Sequence, residues 1–342
     1  MKTILVTGIA GFIGHHIARR LLIEGYRVIG IDNFLTGTRE NVDAITDGLD
    51  LTKRAMLHFI EGDIRNHSDL SKCFDVYNVD AVTHQAALGS VPRSIQNPGL
   101  TMEMNVTGTL KLLEAMRDYN VKRLVYASSS SVYGETVNPI KREDELYSDQ
   151  ISPYAASKRM VEIQCSTWNK CYGINTTGLR YFNVFGPRQS TAAAIPRFIE
   201  CIKQRSSMTV YGNGLQARDW TYIDNVVQAN MAALTTTNSA SQNNIMNIGC
   251  GEQASVFSVL TELQQLGVKF GYAAPEVNYT NARQGDVKNS QASIERARRL
   301  LGYTPEVKWK EGLRKTCEWA FSESAQWAKP SLIGLNQTHP TM

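Results

Sequence analysis

Two short stretches of the chain carry side chains that could transfer a proton. In SPYAASK, residues 152–158, Tyr154 and Lys158 stand four apart, and Ser152 before a proline is typical of a helix N-cap. Residues four apart on a helix project from one face, so we expect the phenol and the ammonium to be neighbours. In VYASSSSVYGE, residues 125–135, an apolar strand ends in four consecutive serines. Hydroxyls and a phenol beside a cation predict a site for general acid–base chemistry.

A glycine-rich turn follows the first predicted strand and opens the first predicted helix. The stretch TGIAGFIG, residues 7–14, spaces its glycines as GxxGxxG. Glycines let the backbone turn tightly and approach a pyrophosphate, whose charge is stabilised by the free N–H groups and the dipole of a helix N-terminus. The turn therefore predicts a dinucleotide site. Its predicted cofactor-binding residues are Gly8, Gly11, Phe12, Ile13 and Gly14.

Carboxylates follow the second and third predicted strands. Asp32 ends the second strand with Asn33 beside it, where a carboxylate accepts hydrogen bonds from the adenosine ribose. A 2′-phosphate would be repelled there, so NAD is favoured over NADP. Arg39 lies nearby in sequence, where a cation would weaken that preference, and we interpret it as a solvated loop residue. Asp63, followed by Ile64, offers a second carboxylate near the adenine.

The phenol of Tyr154 needs more than one cation to act as a base near neutrality. A free phenol titrates near ~10, so this role requires about 4 kcal/mol of preference for the phenolate. One positive charge at about 5 Å contributes roughly 3 kcal/mol at an effective dielectric constant of about 20. Lys158 together with the positive charge of an oxidised nicotinamide would suffice. We therefore expect the phenol to act as a base only when NAD⁺ is bound.

The elements that must position these residues alternate in the first half of the chain. Short β-branched runs are separated by helical patterns such as Phe12–Glu24 and Thr101–Tyr119. This alternation predicts an α/β fold with a Rossmann-type doubly wound parallel sheet. Later, shorter strands and Gly/Pro/Asn-rich connections predict a smaller α/β substrate-binding lobe. We place the dinucleotide-binding domain at 1–183, with further elements from the second half, the lobe at 184–325 and a frayed tail at 326–342.

Composition narrows the classes of partner. At 342 residues the chain is longer than one hydrophobic core usually supports, and its hydrophobic fraction of 42% is ample for a core. A formal net charge of +4 is too small to indicate a nucleic-acid surface. No apolar stretch approaches the roughly 18 residues of a membrane span, and the cysteines lack CxxC spacing. We expect a soluble cytoplasmic protein with reduced thiols, without a metal and with neither a nucleic-acid nor a membrane partner.

Four motifs in order, TGIAGFIG, SSSSVYG, YAASK and LRYFNVFGP, resemble the extended short-chain dehydrogenase/reductase family, in its NAD-dependent nucleotide-sugar epimerase/dehydratase branch. The resemblance covers about residues 2–320 and implies bound NAD, a Ser/Thr-Tyr-Lys site and a homodimer. It assigns the catalytic serine to Ser129, whose hydroxyl would bridge the sugar O4 and Tyr154, whereas Ser128 is interpreted as packing. The further cofactor-binding residues that it implies are Gln85, Ala86, Ala87, Tyr154, Lys158 and Tyr181.

The serines after Ser129 bear on the reaction. Ser130 and Ser131 occupy positions that dehydratases of the family fill with Asp-Glu and decarboxylases with Ser-Glu. A serine hydroxyl, which does not titrate near neutrality, is a poor replacement for such a carboxyl group. Glu135 lies past the turn and is interpreted as solvated. The reaction that remains is reversible oxidation at C4 of the sugar, in which Tyr154 takes the hydroxyl proton. The 4-keto sugar then rotates about its link to the phosphate and is reduced on its other face.

The resemblance also implies a UDP-sugar site. It puts Asn183 on the diphosphate or sugar, Arg218 and Arg283 on phosphate, which suits an arginine fork, and Asp286 on the uridine ribose. HQAALGSVPRS, residues 84–94, resembles the 4-epimerases that prefer N-acetylated UDP-hexosamines. In full, the implied substrate-binding residues are Gly89, Ser90, Ser129, Ser130, Ser131, Asn183, Gln189, Ala193, Tyr211, Arg218, Arg283, Asp286 and Ser290.

Among these, Gly89, Ser90, Ser131, Gln189, Ala193 and Ser290 would form an acetamido pocket, because small residues leave volume and hydroxyls meet its polar atoms. Between Gln189 and Ala193 the chain is shorter than that subgroup by a few residues. His84 is interpreted as a satisfied structural histidine. Arg93 either steadies a 6-carboxylate of the sugar or caps a helix, and the sequence leaves both open.

The resemblance therefore implies an NAD-dependent UDP-N-acetylhexosamine 4-epimerase that interconverts UDP-GlcNAc and UDP-GalNAc. Two alternatives keep the chemistry and change the sugar: a UDP-N-acetylhexosaminuronate or UDP-glucuronate 4-epimerase, and a UDP-glucose/galactose 4-epimerase. A redox-sensing module that has lost catalysis is a further alternative. Such modules typically lack the tyrosine or the lysine, and this chain has both.

Overall fold

The first half of the chain alternates strands with helices. The computed structural model describes residues 1–136, 138–145, 149–282, 289–322, 325 and 327. In chain order, the first elements are β1 (Thr3–Thr7), α1 (Phe12–Ile23), β2 (Arg27–Asp32), α2 (Arg39–Thr46), α3 (Leu51–Arg54), β3 (Leu57–Glu61), α4 (His67–Asp75), β4 (Ala81–His84), α5 (Val91–Gln96), α6 (Pro98–Met102), α7 (Gly108–Asp118) and β5 (Arg123–Ser129). The predicted strands of this half are confirmed.

The second half has shorter strands around longer helices, as the sequence predicts. Its elements are β6 (Ile140–Lys141), α8 (Pro153–Tyr172), β7 (Asn175–Tyr181), β8 (Val184–Phe185), α9 (Ala194–Gln204), β9 (Met208–Tyr211), β10 (Ala217–Arg218), β11 (Thr221–Tyr222), α10 (Ile223–Thr235), β12 (Asn244–Ile248), β13 (Ala254–Ser255), α11 (Val256–Lys269), β14 (Val277–Thr280), β15 (Asn289–Ala292), α12 (Glu295–Leu301) and α13 (Trp309–Ala320).

The central sheet has seven strands in the order β12-β7-β5-β4-β1-β2-β3. The order reverses direction between β1 and β4, where Thr7 is in register with both Ile31 of β2 and His84 of β4. In open α/β sheets, ligands bind at the carboxyl ends of the strands beside such a switch point. The doubly wound parallel fold is therefore confirmed, and it brings the ends of β1, β2 and β4 together.

The chain divides into two compact units. Of the described residues, the first unit comprises those within 1–124 and 150–175, and the second comprises those within 125–149 and 176–328. In the first unit, apolar side chains of β1 and β2 such as Leu5 and Ile29 are fully buried. Each such burial contributes about 1.5–3 kcal/mol and explains why these strands are continuous apolar runs. The predicted domain boundaries at residues 183 and 325 stay predictions.

A π-helical turn interrupts the long helical pattern predicted for Thr101–Tyr119. Helix α6 is followed by the turn Glu103–Thr107 and then by α7. The turn places the side chain of Asn105, which is 2% exposed, inside the first unit. Insertions of this kind often occur at functional sites. Apolar spacing cannot reveal the turn, because the buried face continues on both sides of it.

The second unit contains the parallel pair β7 and β12 and three small sheets. The largest has the order β13-β10-β15-β6, and the other two pair β11 with β8 and β14 with β9. Helices α10 and α11 bury one face each, with Val226 and Leu263 fully covered. Among the helices of the described residues, none combines the length and the apolar character that crossing a membrane requires.

Candidate active site

The glycine turn after β1 has a backbone that side chains would disturb. Gly8 has φ +70°, and a Cβ added there would lie 2.6 Å from the Ala86 nitrogen. A Cβ on Gly14 would overlap the Gly8 carbonyl oxygen. Helix α1 begins after Gly11 without a side-chain cap or an acidic residue in its first turn. The N–H groups of that turn thus remain available to an anion, and the turn fits the pyrophosphate of a dinucleotide.

Other predicted cofactor-binding residues of the first unit lie at the start of α1 and after β4. Phe12 and Ile13 open helix α1 and are half-buried. Gln85, Ala86 and Ala87 follow β4 and are half-buried as well. The close approach of Gly8 to Ala86 therefore joins two of the predicted cofactor-binding segments.

Asp32 joins the glycine turn to the end of β2. Its Oδ2 accepts a hydrogen bond from the Ala10 N–H at 2.9 Å, and its Oδ1 accepts one from the Phe34 N–H at 2.8 Å. Burial raises the pKa of Asp32 above its ordinary value, and the backbone N–H groups oppose that rise. A carboxylate oxygen has more than one lone pair, so the donors present leave acceptor capacity for ribose hydroxyls. Asp32 fits the predicted role.

Replacing Asp32 with alanine is expected to release the cofactor. The variant loses an acceptor for the ribose and the link between β2 and Ala10. Purified Asp32→Ala protein should carry less than a tenth of the NAD found in the unaltered protein, measured by enzymatic assay of the acid extract. Asp43→Ala, an exposed change on α2, is the control. Stoichiometric NAD in the Asp32 variant would contradict the ribose assignment.

Asn33 and Asp63, both predicted from the sequence, meet directly. The Asn33 Nδ2 donates to Asp63 Oδ2 at 2.9 Å. Arg65 was not predicted, and it donates to both carboxylate oxygens, at 3.0 and 2.7 Å. Burial raises the pKa of Asp63, but the hydrogen bonds from Arg65 outweigh it and hold that pKa below its ordinary value. The Asp-x-Arg spacing was the available signal for Arg65.

Two residues close in sequence to this hydrogen-bonded pair, Ile64 and Arg39, contact other parts of the first unit. Ile64 is buried against α7, where a Cβ on Gly108 would lie 2.7 Å from the Ile64 Cδ1. Arg39 is exposed, donates to Glu61 at 2.8 Å and lies over the Phe34 ring at 4.3 Å. Arg39 is solvated, as predicted, but it is the first residue of helix α2 and not a loop residue.

His84 is a fully bonded structural histidine, as predicted. Thr109 Oγ1 donates to the Asn105 carbonyl at 2.6 Å, so it must accept from the Nε2–H of His84, which lies 2.9 Å away. The Nδ1 of His84 then accepts from the Thr7 hydroxyl at 2.7 Å. Burial, followed by the charge of Lys158, lowers the pKa of His84 to about 3. The ring is therefore neutral and is not an acid in the reaction.

Helix α8 begins as predicted. Ser152 Oγ accepts from the Ala155 N–H at 3.1 Å, which confirms the N-cap. Tyr154 in the first turn is half-buried, and a Cβ added to Gly89 would lie 4.0 Å from its hydroxyl oxygen. The structure thus brings together the predicted phenol and a predicted residue of the acetamido pocket. Because residue 89 is a glycine and has no Cβ, the space beside the Tyr154 hydroxyl stays open.

Lys158 is 5% exposed, one turn after Tyr154. Burial lowers the pKa of Lys158 to about 8, and the charge of the nearby Glu162 carboxylate opposes that fall. Glu162 is itself buried and pairs with Arg159 at 2.8 Å. At pH 7 Lys158 remains a buried ammonium, which is the kind of charge that stabilises a nearby phenolate.

The serine run forms a tight turn at the end of β5. Ser129 Oγ accepts from the Ser131 N–H at 3.1 Å and donates to Ser131 Oγ at 3.0 Å. Ser130 opens the same 3₁₀ turn, Ser130–Tyr133. Ser128 is 2% exposed, in line with packing, and Glu135 is exposed, in line with a solvated residue. The serine turn belongs to the second unit and Tyr154 to the first, so their meeting at one substrate atom stays a prediction.

Ser90 takes the capping role at α5. Its Oγ accepts from the Arg93 N–H at 3.3 Å. Arg93 itself lies inside the helix and is half-buried. The N-cap of α5 is therefore Ser90 and not Arg93.

A cavity of about 330 Å³ lies in the second unit. Five predicted substrate-binding residues line it: Asn183, Gln189, Ala193, Tyr211 and Arg218. Arg197, Gln216 and Trp220 line it too and were not predicted. Arg197 lies in the first turns of α9, a position that apolar spacing alone does not mark as functional.

Two other predicted residues of the second unit, Ser290 and Tyr181, lie on strands β15 and β7. Ser290 on β15 is the register partner of Arg218 on β10. Tyr181 at the end of β7 is buried, and its hydroxyl oxygen accepts from Asn230 at 2.8 Å. The contact of Tyr181 with the cofactor stays a prediction. Arg283 and Asp286 lie outside the described residues.

Comparison with known proteins agrees with this site. The family model described as "NAD dependent epimerase/dehydratase family" matches residues 4–249. The UDP-glucuronate 4-epimerase of Thermodesulfobacterium geofontis is 36% identical over 92% of this chain and 95% of that protein.

Solved structures are similar over nearly the whole chain. The UDP-glucuronic acid 4-epimerase of Bacillus cereus, in complex with UDP-glucuronic acid and NAD, has a TM-score of 0.84 at 33% identity, covering 92% of this chain and 98% of that one. The UDP-N-acetylglucosamine 4-epimerase of Methanobrevibacter ruminantium, in complex with UDP-N-acetylmuramic acid, has a TM-score of 0.82 at 33% identity, covering 93% and 97%. With its glycine turn, a half-buried tyrosine and a buried lysine one turn apart on α8, and these matches, the chain belongs to the NAD dependent epimerase/dehydratase family.

Proposed function

We propose that the chain is a UDP-N-acetylhexosamine 4-epimerase that interconverts UDP-GlcNAc and UDP-GalNAc. The coarser activity, NAD-dependent 4-epimerisation of a UDP-sugar, rests on its membership of the family and on relatives that are UDP-sugar 4-epimerases. The choice of sugar rests on one observation, the open space at Gly89 beside the Tyr154 hydroxyl. A sugar whose C4 hydroxyl meets the phenol needs room nearby for a 2-acetamido group, and glycine leaves it.

The roles of the side chains follow from their positions. NAD, when bound, would supply the hydride acceptor and donor that oxidation and reduction at C4 of the sugar require. Tyr154 accepts the C4 hydroxyl proton in the first half and gives it back in the second. Lys158 supplies a buried positive charge that favours the phenolate. Ser129, already hydrogen-bonded to Ser131, would orient the C4 oxygen.

The cavity of the second unit would bind the nucleotide part of the substrate. Its lining combines two arginines, Arg197 and Arg218, with the aromatic rings of Tyr211 and Trp220. Guanidinium forks suit diphosphate oxygens, and aromatic faces suit a base. About 330 Å³ lies at the lower end of the range for small-molecule sites, which is of order 300–1,000 Å³. A UDP group matches these properties.

A second candidate is a UDP-glucuronate or UDP-N-acetylhexosaminuronate 4-epimerase. Similar proteins include UDP-glucuronate 4-epimerases of bacteria and plants. Within this chain, half-buried Arg93 two residues after the start of α5 is a candidate partner for a sugar carboxylate. The two candidates differ in whether the sugar presents an amide at C2 or a carboxylate at C6.

A parallel substrate assay decides between them. The purified protein is incubated without added NAD with UDP-GlcNAc, UDP-Glc, UDP-GlcA and UDP-GlcNAcA, and the products are resolved by NMR. We expect kcat/KM for UDP-GlcNAc to exceed that for each other sugar at least tenfold. A higher value for either uronate would contradict the proposed substrate and favour the second candidate.

Ser131→Glu is expected to lower kcat/KM for UDP-GlcNAc at least 100-fold. A glutamate there removes the acceptor of the Ser129 hydroxyl and adds bulk and charge beside it. Ser131→Ala, which adds no bulk, is the matched control and should lose less than tenfold. Circular dichroism checks that both variants fold. Equal or improved turnover of UDP-GlcNAc by the glutamate variant would contradict the pocket.

We also propose a homodimer and a cytoplasmic location. Met160 and Ile163 on α8 are 44% and 55% exposed, and a partner subunit would cover them. All six cysteines are free thiols, which suits a reducing compartment. Light scattering of the purified protein tests the dimer.

A further inference from the structure

Asp219 is a buried carboxylate with no part in the reaction described above. It follows β10 and is 0% exposed. Its Oδ1 accepts from the Cys250 N–H at 2.7 Å, and its Oδ2 accepts from the N–H groups of Gly251 at 2.9 Å and Ala292 at 3.1 Å. One side chain thus holds the turn after β12 and the end of β15 against β10.

The backbone of Asp219 fixes residues around the nucleotide cavity as well. Its carbonyl accepts from Asn183 Nδ2 at 3.4 Å, and its N–H donates to the Ser290 carbonyl at 2.8 Å. Arg218, the preceding residue, lines the cavity together with Asn183. The positions of these three substrate-binding candidates therefore all depend on where Asp219 sits.

Only a carboxylate satisfies this arrangement. The two oxygens of Asp219 face three N–H donors. An asparagine of the same shape would turn its NH₂ group towards at least one of them, leaving a buried donor without an acceptor. Burial raises the pKa of Asp219 to about 7, and the three N–H groups oppose that rise. Burying a charged carboxylate costs folding free energy, and a residue that only filled space would not carry that cost.

We infer that Asp219 is a positioning residue for the nucleotide cavity, whose carboxylate sets Arg218 and Asn183 where they can hold the diphosphate of the substrate. This inference rests on the proposed function, because it assigns the cavity to UDP. It extends that function by naming the group that keeps the cavity in its binding geometry. Asp219 acts through its neighbours and need not touch the substrate.

Asp219→Asn is the direct test, with Asp224→Asn as the control for loss of a negative charge in the same unit. Asp224 lies on α10 and its side chain is 55% exposed. Isothermal titration with UDP should give a Kd at least tenfold higher for Asp219→Asn and within twofold of the unaltered protein for Asp224→Asn. KM for the UDP-sugar should rise by the same factor with kcat within threefold. The NAD content should not change, because the hydrogen bonds of Asp219 given above reach none of the predicted cofactor-binding residues.

Three outcomes separate the possibilities. A Kd for UDP within twofold in Asp219→Asn, or a loss carried by kcat alone, overturns the inference. Absence of UDP binding by the unaltered protein overturns the cavity assignment itself, and the inference with it. If Asp219→Asn does not fold, Gly249→Ala takes its place, because a Cβ there would lie 2.8 Å from Asp219 Oδ2 and push on the carboxylate. The Kd should then rise at least threefold, and an unchanged value overturns the inference.

Discussion

Tyr154→Phe is expected to lower kcat by about 10²–10⁴ while leaving UDP binding within twofold. The change removes one hydroxyl, which faces the open space at Gly89, and leaves the ring and the start of α8 in place. The Ser152 cap and the bond from Ser157 to the Tyr154 carbonyl do not involve the hydroxyl, so the helix should keep its position. The loss should therefore fall on turnover and not on substrate affinity.

The measurement is steady-state kinetics with UDP-GlcNAc, paired with titration of UDP. Tyr172→Phe at the other end of the same helix is the control, since that residue is exposed. It should retain turnover within twofold. Turnover of Tyr154→Phe equal to that of the unaltered protein would refute the role of the phenol.

Lys158→Met is expected to abolish most turnover and, at the same time, to stabilise the protein at pH 7. Burial lowers the pKa of Lys158 from the ordinary 10.5 to about 8, so charging this group costs the folded state up to about 3 kcal/mol. Methionine has a similar length and carries no charge. Glu162 keeps its partner Arg159 in the variant. The function of the site is thus opposed to its stability, a known trade-off at active sites.

The pH dependence has a definite sign. Below about pH 8, Lys158 is charged in both the folded and the unfolded chain, and the cost of burying the charge is fully present. Between about 8 and 10.5 the folded chain binds fewer protons than the unfolded one, so the cost shrinks as the pH rises. The stability advantage of Lys158→Met should be largest at pH 7 and small at pH 10. Urea unfolding at both pH values measures it, and a variant less stable than the unaltered protein at pH 7 would contradict the argument.

The sequence predicted the parts of the site that depend on local rules. The strands of the first half, the N-cap at Ser152 and the glycine turn each follow from a few neighbouring residues, and the structure confirms them. The structural interpretation of His84 was also confirmed, because a polar residue at a buried strand end must find hydrogen-bond partners. Local spacing carries this information directly.

The parts that were missed depend on contacts between segments distant in the sequence. The Asp219 carboxylate accepts hydrogen bonds from Cys250 and Ala292, which are 31 and 73 residues away in the sequence. No local sequence pattern indicates these contacts. The π-helical turn that buries Asn105 leaves the apolar spacing of its neighbours unchanged. The choice of sugar also depends on contacts between distant segments, and it stays a proposal.

The most direct test of the central claim follows one hydrogen atom. The purified protein, without added NAD, is incubated with UDP-GlcNAc carrying deuterium at C4, and the products are analysed by NMR and mass spectrometry. Transfer of a hydride from C4 and its return to the other face predict UDP-GalNAc that keeps the deuterium at C4. Loss of the label to solvent, or a dehydrated or decarboxylated sugar in place of UDP-GalNAc, would contradict the account.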